Sequence, residues 1–413
     1  MGSLRELSER LLRGEETAFH PFAPTFALEE VASGVGFVSS FANVLALDTE
    51  EGMVLIDTGS FFFAKLTKEL IRTFSRRPLH TAVYTHGHVD HVFGVELYEE
   101  ESRRPARVIA HRALPARFER YKKTAGYNAC INARQFQMPT RWPVDYRYPD
   151  TVFDEALSLE VGQLRLELFH ARGETDDHAY VWVPEKRVLA TGDLFIWATP
   201  NAGNPQKVQR YAEDWAAALR AMAALGAEVL CPGHGPPLFG VAAVKTALEE
   251  TATLLEHLVR ETLALMNEGA SLDAILGSVR APRALLERPY LRPLYDEPEF
   301  IIRNIHRLYG GFWDGNPAHL KPAREEALAK EIAALAGGAR VLVDRALELS
   351  SRGDHALACH LVESAYAADP SDARAREARA RVYRARADAE LSLMAKGIYM
   401  TAARESEAEW EPS

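Results

Sequence analysis

The sequence carries a dense group of metal-ligating residue types within one short segment. Four ligand-type side chains fall within six positions, directly after an apolar run that predicts a buried strand, and they are His86, His88, Asp90 and His91. In an extended chain residues i and i+2 lie on the same side, so His86 and His88 can share one metal ion. The chain then turns, which lets Asp90 and His91 face a second ion. A solvated polar loop is the alternative, but it gives no packing reason for four such residues at a strand end.

Three further loops carry ligand-type residues, and each follows a predicted strand. These residues are His170, Glu174, Asp176, Asp177, His178, Asp193 and His234. Loops at one edge of the sheet converge in layered α/β folds, and that edge is where sites form. We therefore expect four ligand-bearing loops to meet around one pocket. Imidazole and carboxylate groups suit zinc, or iron and manganese in a site richer in oxygen.

The elements that must position these loops follow from the pattern of apolar residues. Predicted strands comprise a pair over residues 36–59 with a turn at Glu51-Gly52, residues 80–85 and 107–110, a pair over 152–171, a hairpin around Pro184-Glu185 and a strand ending near Cys231. Helical spacing follows the first pair, and another helix ends at Gly226. Strands mixed with helices over roughly 220 residues predict an α/β layered domain.

The character of the sequence changes after about residue 241. One long amphipathic helix is predicted to end at Gly269, and residues from about 323 to 404 are almost wholly helical in pattern. Within them, small residues recur at helical spacing and Asp369-Pro370 ends one helix, which predicts a tetratricopeptide-type helical pair. One such unit cannot bury its own face, so it should pack on neighbouring helices or on a second subunit.

The ordered motifs resemble those of the metallo-β-lactamase superfamily. They are the segment from Thr85 to His91, the strand end Asp57-Thr58-Gly59, the Thr-Gly-Asp centred on Asp193 and the Pro-Gly-His-Gly centred on His234. The resemblance covers about residues 30 to 240. It implies an αββα sandwich in which two divalent metal ions share a bridging hydroxide. We favour zinc for both ions, with iron or manganese as alternatives.

The ligand set of the first ion differs in one residue from the superfamily pattern. By position, the resemblance implies that His86 and His88 bind this ion. Most members then carry Gly-His-Thr, whereas residues 173–175 read Gly-Glu-Thr, so Glu174 takes the place of an imidazole. The alkylsulfatase branch also uses a carboxylate in this ligand set. The added negative charge should raise the basicity of bound water. Residues that could join the metal site instead are His170, Asp177 and His178.

The second ion completes the implied site. By position, its ligands are Asp90, His91 and His234. Asp193 is similar to the carboxylate that bridges both ions, and we assign Asp90 and Asp193 as the catalytic carboxylates. Asp57 is similar to the superfamily's acidic residue that braces the histidine loop without binding metal.

The downstream region resembles the helical dimerisation domain of the type III alkylsulfatases over about residues 300 to 388. The matching pieces are the Gly-Phe-Trp-Asp-Gly-Asn-Pro segment, the Ala-Gly-Gly-Ala step and the helical pair. This implies a homodimer formed through the C-terminal helices. The predicted organisation is a helical segment over 1–22, a metallo-β-lactamase-like catalytic domain over 23–241, a helical connector over 242–322 and a helical dimerisation domain over 323–405.

A loop just after Asp193 carries anion-binding residue types. It occupies the place where alkylsulfatases hold the sulfate, and we favour Asn201, Lys207 and Arg210 as substrate-binding residues. A solvated loop leading into the next helix is the alternative. A small anionic ester, most simply a sulfate ester, is the expected substrate. The alternatives are another hydrolase of the superfamily acting on a lactone, thioester or phosphodiester, and a mononuclear iron sulfur dioxygenase.

Composition limits the classes of partner. The chain has 48 Lys and Arg against 58 Asp and Glu, a net charge of −10, and it has no long basic run, so we expect no nucleic-acid partner. No apolar run approaches the ~20 residues that a membrane span requires, and the charged N-terminus lacks the apolar core of a signal peptide. We therefore expect a cytoplasmic protein that does not bind membranes.

Overall fold

The computed structural model describes residues 3–407, and within this range the chain forms two compact units. The first contains residues 3–125 and 143–311, and the second contains residues 126–142 and 312–407. The helices are α1 (Leu4–Leu12), α2 (Ala64–Phe74), α3 (Val95–Ser102), α4 (Leu114–Lys123), α5 (Ala125–Phe136), α6 (Ala212–Ala224), α7 (Val241–Asn267), α8 (Leu272–Ser278), α9 (Arg283–Leu286), α10 (Pro298–Gly310), α11 (Pro317–Leu320), α12 (Glu325–Leu335), α13 (Ala339–Ser351), α14 (His355–Ala368), α15 (Ala373–Ala389) and α16 (Leu393–Ser406).

The strands of the first unit form two sheets within the described residues. The first sheet follows chain order and contains β1 (Ala27–Ala32), β2 (Val35–Ser39), β3 (Val44–Thr49), β4 (Gly52–Ile56), β5 (Leu79–Val83), β6 (Arg107–His111) and β7 (Thr151–Phe153). The second contains β8 (Ala156–Val161), β9 (Leu164–His170), β10 (Ala179–Val183), β11 (Val188–Gly192), β12 (Val229–Pro232) and β13 (Leu238–Phe239), also in chain order across the sheet. Pairing is parallel from β4 to β7 and between β11 and β12, and antiparallel elsewhere.

The two sheets pack face to face and helices cover their outer faces. One buried cluster joins Phe37 and Leu47 of the first sheet to Leu166 and Val181 of the second. On the outer face of the second sheet, a separate cluster packs strand residues against α6 and α7; its members include Trp182, Leu189, Leu230, Trp215, Leu219 and Leu255. Every residue of β10 is buried because both faces of its sheet are covered. The predicted αββα sandwich followed by helices is confirmed.

One predicted strand boundary was wrong. Two strands were predicted over residues 36–59, but this segment contains three, because a turn separates β2 from β3. Asn43 stabilises this turn, because its side-chain oxygen accepts the backbone N–H of Ser40 at 3.2 Å. Its amide nitrogen donates to the backbone carbonyls of Pro232 and Gly235 at 2.9 and 2.8 Å. The same side chain therefore ends β2 and ties this turn to the loop that carries His234.

The second unit is helical throughout its regular structure. Small side chains let its helices approach closely, and the buried contacts are made by Val343, Ala346, Ala358, Val362, Ala365, Ala375, Ala378 and Val382. As predicted, α14 ends just before Asp369-Pro370; the Asp372 side chain then accepts the Arg374 N–H at the start of α15. Among residues 3–407, no helix has both the length and the apolar character needed to cross a bilayer.

Residues 126–142 group with the second unit although strands of the first unit flank them in sequence. Gly397 of α16 explains the contact, since a Cβ there would lie 2.7 Å from the carbonyl oxygens of Arg134 and Gln135. Gln137 adds hydrogen bonds to the Gly397 carbonyl and the Thr401 hydroxyl, both at 2.9 Å. The grouping differs from the predicted limits of 23–241, 242–322 and 323–405, which stay predictions.

Candidate metal centre

The first candidate ligand group contains His86, His88, Glu174 and Asp193, whose donor atoms all lie within 4.8 Å of one another. His86 Nε2 and His88 Nδ1 are 2.8 Å apart. Glu174 Oε2 lies 3.4 Å from the former and 3.3 Å from the latter, and Asp193 Oδ2 lies 3.9 Å from His86 Nε2. Ligands about 2.1 Å from a tetrahedral ion are spaced roughly 3.4 Å apart. The group therefore has the spacing that one ion requires.

The second group contains Asp90, His91 and His234. Asp90 Oδ2 lies 3.6 Å from the Nε2 atom of each histidine. Asp193 also reaches this group, since its Oδ1 is 3.3 Å from His91 Nε2 and its Oδ2 is 3.3 Å from His234 Nε2. Its carboxylate therefore lies between the two groups and can contact both. A Cβ at Gly233 would lie 2.0 Å from Asp193 Oδ1, so only glycine fits there.

The buried polar atoms at this centre fit a bound cation. Among the described residues, His91 Nε2, Glu174 Oε2 and Asp193 Oδ1 are buried and have no hydrogen-bond partner. Buried polar atoms are almost always paired with a donor, a water or a metal ion. The donors are imidazole nitrogens and carboxylate oxygens, the types that bind divalent zinc, iron or manganese. The residues present therefore fit the implied metal ions.

Burial and neighbouring charges keep His86 and Asp193 in their metal-binding protonation states. Burial, with the nearby imidazoles of His91 and His88, holds the pKa of His86 well below its ordinary value, so the ring is neutral. Burial alone would raise the pKa of Asp193, but His234 and His91 outweigh it and the net pKa lies well below the ordinary range. A neutral imidazole and an ionised carboxylate are the forms that coordinate metal.

Asp57 and Thr85 set the orientation of two histidines. Asp57 lies directly after β4 with φ at 56°, and its carboxylate accepts the Thr85 N–H and the Thr85 hydroxyl, both at 2.8 Å. The same carboxylate accepts from His91 Nδ1 at 2.7 Å. The Thr85 oxygen lies 3.0 Å from His86 Nδ1. In both histidines Nδ1 is thus occupied by a supporting contact and Nε2 faces the centre.

The alternative ligands His170, Asp177 and His178, at the end of β9 and in the loop after it, lie outside both ligand groups. Asp177 accepts the Gly87 N–H at 2.9 Å and pairs with Arg117 Nε at 2.5 Å. His178 Nε2 accepts the Asp193 N–H at 3.1 Å, and its ring stacks on His86 with centroids 4.5 Å apart. His170 contacts the Asp176 carbonyl at 2.9 Å. These side chains support the loops that carry the candidate ligands.

Arg117 is a buried residue that the motif analysis missed. It lies on α4 and pairs with both Asp176 and Asp177. Leu114, Phe118 and Arg117 are buried on the same helix face. The sequence does carry a sign of this role, because Arg117 falls among the apolar residues that recur at helical spacing. An arginine on such a buried face requires an acidic partner.

Two family models match this chain. Residues 37–234 match the metallo-beta-lactamase superfamily, and residues 271–409 match the alkyl sulfatase dimerisation family. The first match includes all the residues of both candidate ligand groups. Residues 37–234 therefore form a metallo-β-lactamase domain. A metallo-β-lactamase domain implies divalent metal ions, typically two, and the paired ligand groups are the candidate positions for them.

Curated relatives of this metallo-β-lactamase-fold chain extend along most of its length. A linear primary-alkylsulfatase from Pseudomonas is 25% identical over 390 residues, which cover 88% of this chain and 74% of the relative. An (R)-specific secondary-alkylsulfatase from Pseudomonas is 25% identical, covering 88% of this chain and 60% of the relative. The solved structure of the stereoselective inverting sec-alkylsulfatase Pisa1 from Pseudomonas matches with a TM-score of 0.84 at 24% identity, covering 92% of this chain and 66% of that one. The structural likeness shows the fold, and each of these proteins is longer than the part that this chain matches.

The loop after β11 lies against the metallo-β-lactamase centre, but two of its predicted anion-binding residues contact Glu174. Asn201 donates to Glu174 Oε1, and Arg210 Nη1 lies 2.7 Å from the same oxygen. Lys207 is half-buried; burial and the nearby Arg210 lower its pKa to about 8, while Asp90 and Glu174 act in the opposite direction. The loop therefore places Lys207 where the charges of two candidate ligands, Asp90 and Glu174, act on it.

An aromatic wall borders the His234 side of the centre. The Phe22 ring lies 4.2 Å from the His234 ring and 4.1 Å from the Tyr295 ring, and Phe41 lies 5.7 Å from His234. We call Phe22, Phe41 and Tyr295 the aromatic wall. These residues are far apart in the chain and belong to no motif, so their contact could not be predicted from the sequence.

Proposed function

We propose that this protein is a metal-dependent hydrolase of sulfate esters. The observation that carries the proposal is the position of the Asp193 carboxylate. Its Oδ1 lies 3.3 Å from His91 Nε2, and its Oδ2 lies 3.3 Å from His234 Nε2 and 3.9 Å from His86 Nε2. A carboxylate between two ligand groups is the arrangement of a two-metal hydrolytic site. The alkylsulfatase relatives support a sulfate ester as the substrate class.

The proposed ligands follow the two groups. His86, His88 and Glu174 hold the first ion, Asp90, His91 and His234 hold the second, and Asp193 contacts both. Zinc is favoured because nitrogen and carboxylate donors at tetrahedral spacing suit it. When bound, two such ions supply an ionised water as nucleophile near neutral pH and polarise the ester oxygen. Asp57 holds the His91 ring in the orientation that this chemistry needs.

The chain's other residues position the substrate. The charges of Asp90 and Glu174 act on Lys207, and its ammonium group is proposed to contact the anionic part of an ester bound at the centre. The aromatic wall is the apolar surface next to His234 and is proposed to contact the organic part. Asn201 and Arg210 contact Glu174, so their proposed contribution to anion binding is indirect.

The test is sulfate release from primary, secondary and aryl sulfate esters by zinc-loaded protein. Asp193→Ala should abolish release. Asp154→Ala is the matched control, because Asp154 is an exposed carboxylate that pairs with Arg112 outside the centre. No release from protein with two ions bound would reject the sulfate ester and direct the assay to lactones, thioesters and phosphodiesters. One iron per chain, without hydrolysis, would favour the sulfur dioxygenase alternative.

We further propose that the chain forms a homodimer through its C-terminal helices. The support is the match of residues 271–409 to the alkyl sulfatase dimerisation family. Helix α12 also exposes large apolar side chains, including Leu328 and Leu335, of which 55% and 88% is accessible. Exposed leucines on one helix face are typical of a surface that a partner covers. A cytoplasmic location stays a prediction.

A further inference from the structure

Glu174 is the candidate ligand that departs from the superfamily pattern, and its two carboxylate oxygens have different surroundings. Oε1 accepts from Asn201 and lies 2.7 Å from Arg210 Nη1. Oε2 has no hydrogen-bond partner among the described residues and lies 3.3 Å from His88 Nδ1 and 3.4 Å from His86 Nε2. One oxygen is therefore occupied by donors, and the other faces the first ligand group.

We propose that Arg210 and Asn201 are positioning residues that clamp Glu174, so that this carboxylate presents one oxygen to the first metal position and its charge is balanced by Arg210. The inference rests on the proposed metal-dependent function, because it concerns how Glu174 meets a bound ion. It also assigns Arg210 and Asn201 to the metal centre, whereas the sequence had suggested that they hold the substrate anion.

Burial makes this clamp necessary. Glu174, Asn201 and Arg210 are 3%, 3% and 2% exposed. A buried carboxylate requires a counter-charge and hydrogen bonds, whereas the neutral imidazole that most members carry there does not. Arg210 Nη1 also donates to the backbone carbonyl of Glu174 at 2.9 Å, so the guanidinium fixes the main chain and the side chain of the same residue.

The loop that carries both clamp residues is itself anchored to α10 and to Asp296, two residues before that helix. Asn304 donates to the carbonyls of Ala202 and Arg210 at 2.8 and 2.9 Å. Asp296 accepts the N–H groups of Gly203 and Asn204. A Cβ at Gly203 would lie 2.4 Å from the Phe300 carbonyl carbon, so only glycine allows this approach. The donors of the clamp are therefore held in place before any ion binds.

The clamp makes a specific prediction about coupling between residues 210 and 174. If Arg210 balances a carboxylate, its removal should weaken the first metal site only while residue 174 is glutamate. With an imidazole at residue 174, Arg210 has no carboxylate to balance and its charge opposes a bound cation. Removing Arg210 in that background should leave metal affinity unchanged or raise it.

The test uses the full-length chain and measures zinc retained per chain during competition with a graded chelator. Arg210→Gln should weaken retention of one of the two ions by about 10- to 100-fold, as loss of a supporting contact to a metal ligand typically does. Glu174→His with Arg210→Gln should show no further loss relative to Glu174→His alone. Arg172→Gln is the matched control, because Arg172 is half-exposed and pairs with Asp214 instead of Glu174. Circular dichroism checks that each variant is folded.

Equal losses from Arg210→Gln in the two backgrounds would overturn the proposal, because Arg210 would then support the loop in general. Zinc retention by the single variant Arg210→Gln equal to that of the parent protein would overturn the proposal as well. If either variant does not fold, Asn201→Leu in the parent background removes the second donor without changing charge, and unchanged zinc retention would reject the clamp. Because the readout is bound zinc, the result is independent of whether sulfate esters are the substrate.

Discussion

Asp57 and His91 form a fully buried pair in which the carboxylate accepts from His91 Nδ1 at 2.7 Å. The contact fixes the hydrogen on Nδ1 and leaves His91 Nε2 as the atom that faces Asp90 and Asp193. A ring in the other tautomer would present N–H to the centre and could not bind a cation there. The protonation of one nitrogen thus depends on a residue from a different loop, the one that follows β4.

Asp57→Asn should weaken binding at the second metal position by about 10- to 100-fold. The amide nitrogen would face His91 Nδ1 and donate to it, which would move the ring hydrogen to Nε2. Asparagine tolerates the positive φ of 56° at this position, so the substitution tests the hydrogen bond with little backbone strain. Zinc content per chain after dialysis against a chelator measures the effect. Two ions retained at parental affinity would contradict the assignment.

Arg117→Met should destabilise the protein by about 3–5 kcal/mol, because it leaves Asp177 buried and unpaired. Asp177 also accepts the Gly87 N–H between the two candidate ligands His86 and His88, so the variant should lose metal affinity as well. Denaturant unfolding of the metal-free chain measures the stability. Asp177→Asn combined with Arg117→Met is the control, since the double variant lacks the unpaired charge and should be more stable than Arg117→Met alone. If the double variant and Arg117→Met were equally stable, the loss of the Arg117–Asp177 ion pair would not be the cause of the destabilisation.

Asp296 provides a prediction for pH. Burial raises its pKa to about 6 from an ordinary 3.8, although N–H groups of Gly203, Glu297 and Asn204 and the charge of Arg210 oppose the rise. A raised carboxyl pKa means that the folded state holds its proton more tightly than the unfolded chain. The contribution of this group to stability is therefore greatest below about pH 4 and falls as pH rises towards 6.

Asp296→Asn removes this ionisation and should gain stability relative to the parent as pH rises. The difference between the two proteins should shift by about 2 kcal/mol in favour of the variant from pH 4 to pH 7, since each pKa unit corresponds to 1.36 kcal/mol and part of the shift already lies below pH 4. Denaturant unfolding of both metal-free proteins at several pH values gives the difference directly. A difference that is constant across this range would show that Asp296 ionises normally.

Leu335→Lys combined with Leu328→Lys should weaken self-association. The two residues are seven positions apart on α12, so they lie on the same face of the helix, and both are largely exposed. Burying a lysine at such a contact is unfavourable because its charge must be desolvated. Sedimentation velocity of the full chain over a range of concentrations measures the effect. Leu391→Lys changes an exposed leucine outside α12 and is the control; a parent protein that sediments as a monomer would reject the proposed dimer.

The segment from His86 to His91 and the strands around it could be predicted because the information is local. Four ligand-type residues lie within six positions, and an apolar run marks β5 before them. Asp193 and His234 were predicted by their motifs, and the structure brings both to the same centre. Short-range patterns of this kind survive in a single sequence because neighbouring residues carry the whole signal.

The directions of side chains could not be predicted. Residue types identified Asn201 and Arg210 as anion-binding, but the sequence does not say which anion, and in the structure they contact the Glu174 carboxylate. The association of residues 126–142 with α16 depends on Gly397, more than 250 positions away, and its only sequence signal is one glycine. Contacts between distant segments leave no periodic pattern in either segment.

The aromatic wall predicts a dependence of substrate affinity on the size of the organic group. Phe22 lies 4.2 Å from the His234 ring at the edge of the candidate centre, and Tyr295 lies beside it. If the wall contacts an alkyl chain, Phe22→Ala should raise KM for long-chain sulfate esters by about tenfold, since burying one aromatic side chain is worth roughly 1.5–3 kcal/mol. Short-chain esters, which do not reach the wall, should keep their KM.

Phe62→Ala is the matched control, because Phe62 is 58% exposed and its ring contacts are with Phe61 and Phe63. It should leave KM unchanged for esters of every length. Steady-state rates for a series of linear sulfate esters with both variants and the parent give the comparison. A uniform rise in KM across the series for Phe22→Ala would mean that this ring supports His234 and does not contact the organic group. A change in kcat alone would lead to the same conclusion, since a ring that only binds the chain changes KM first.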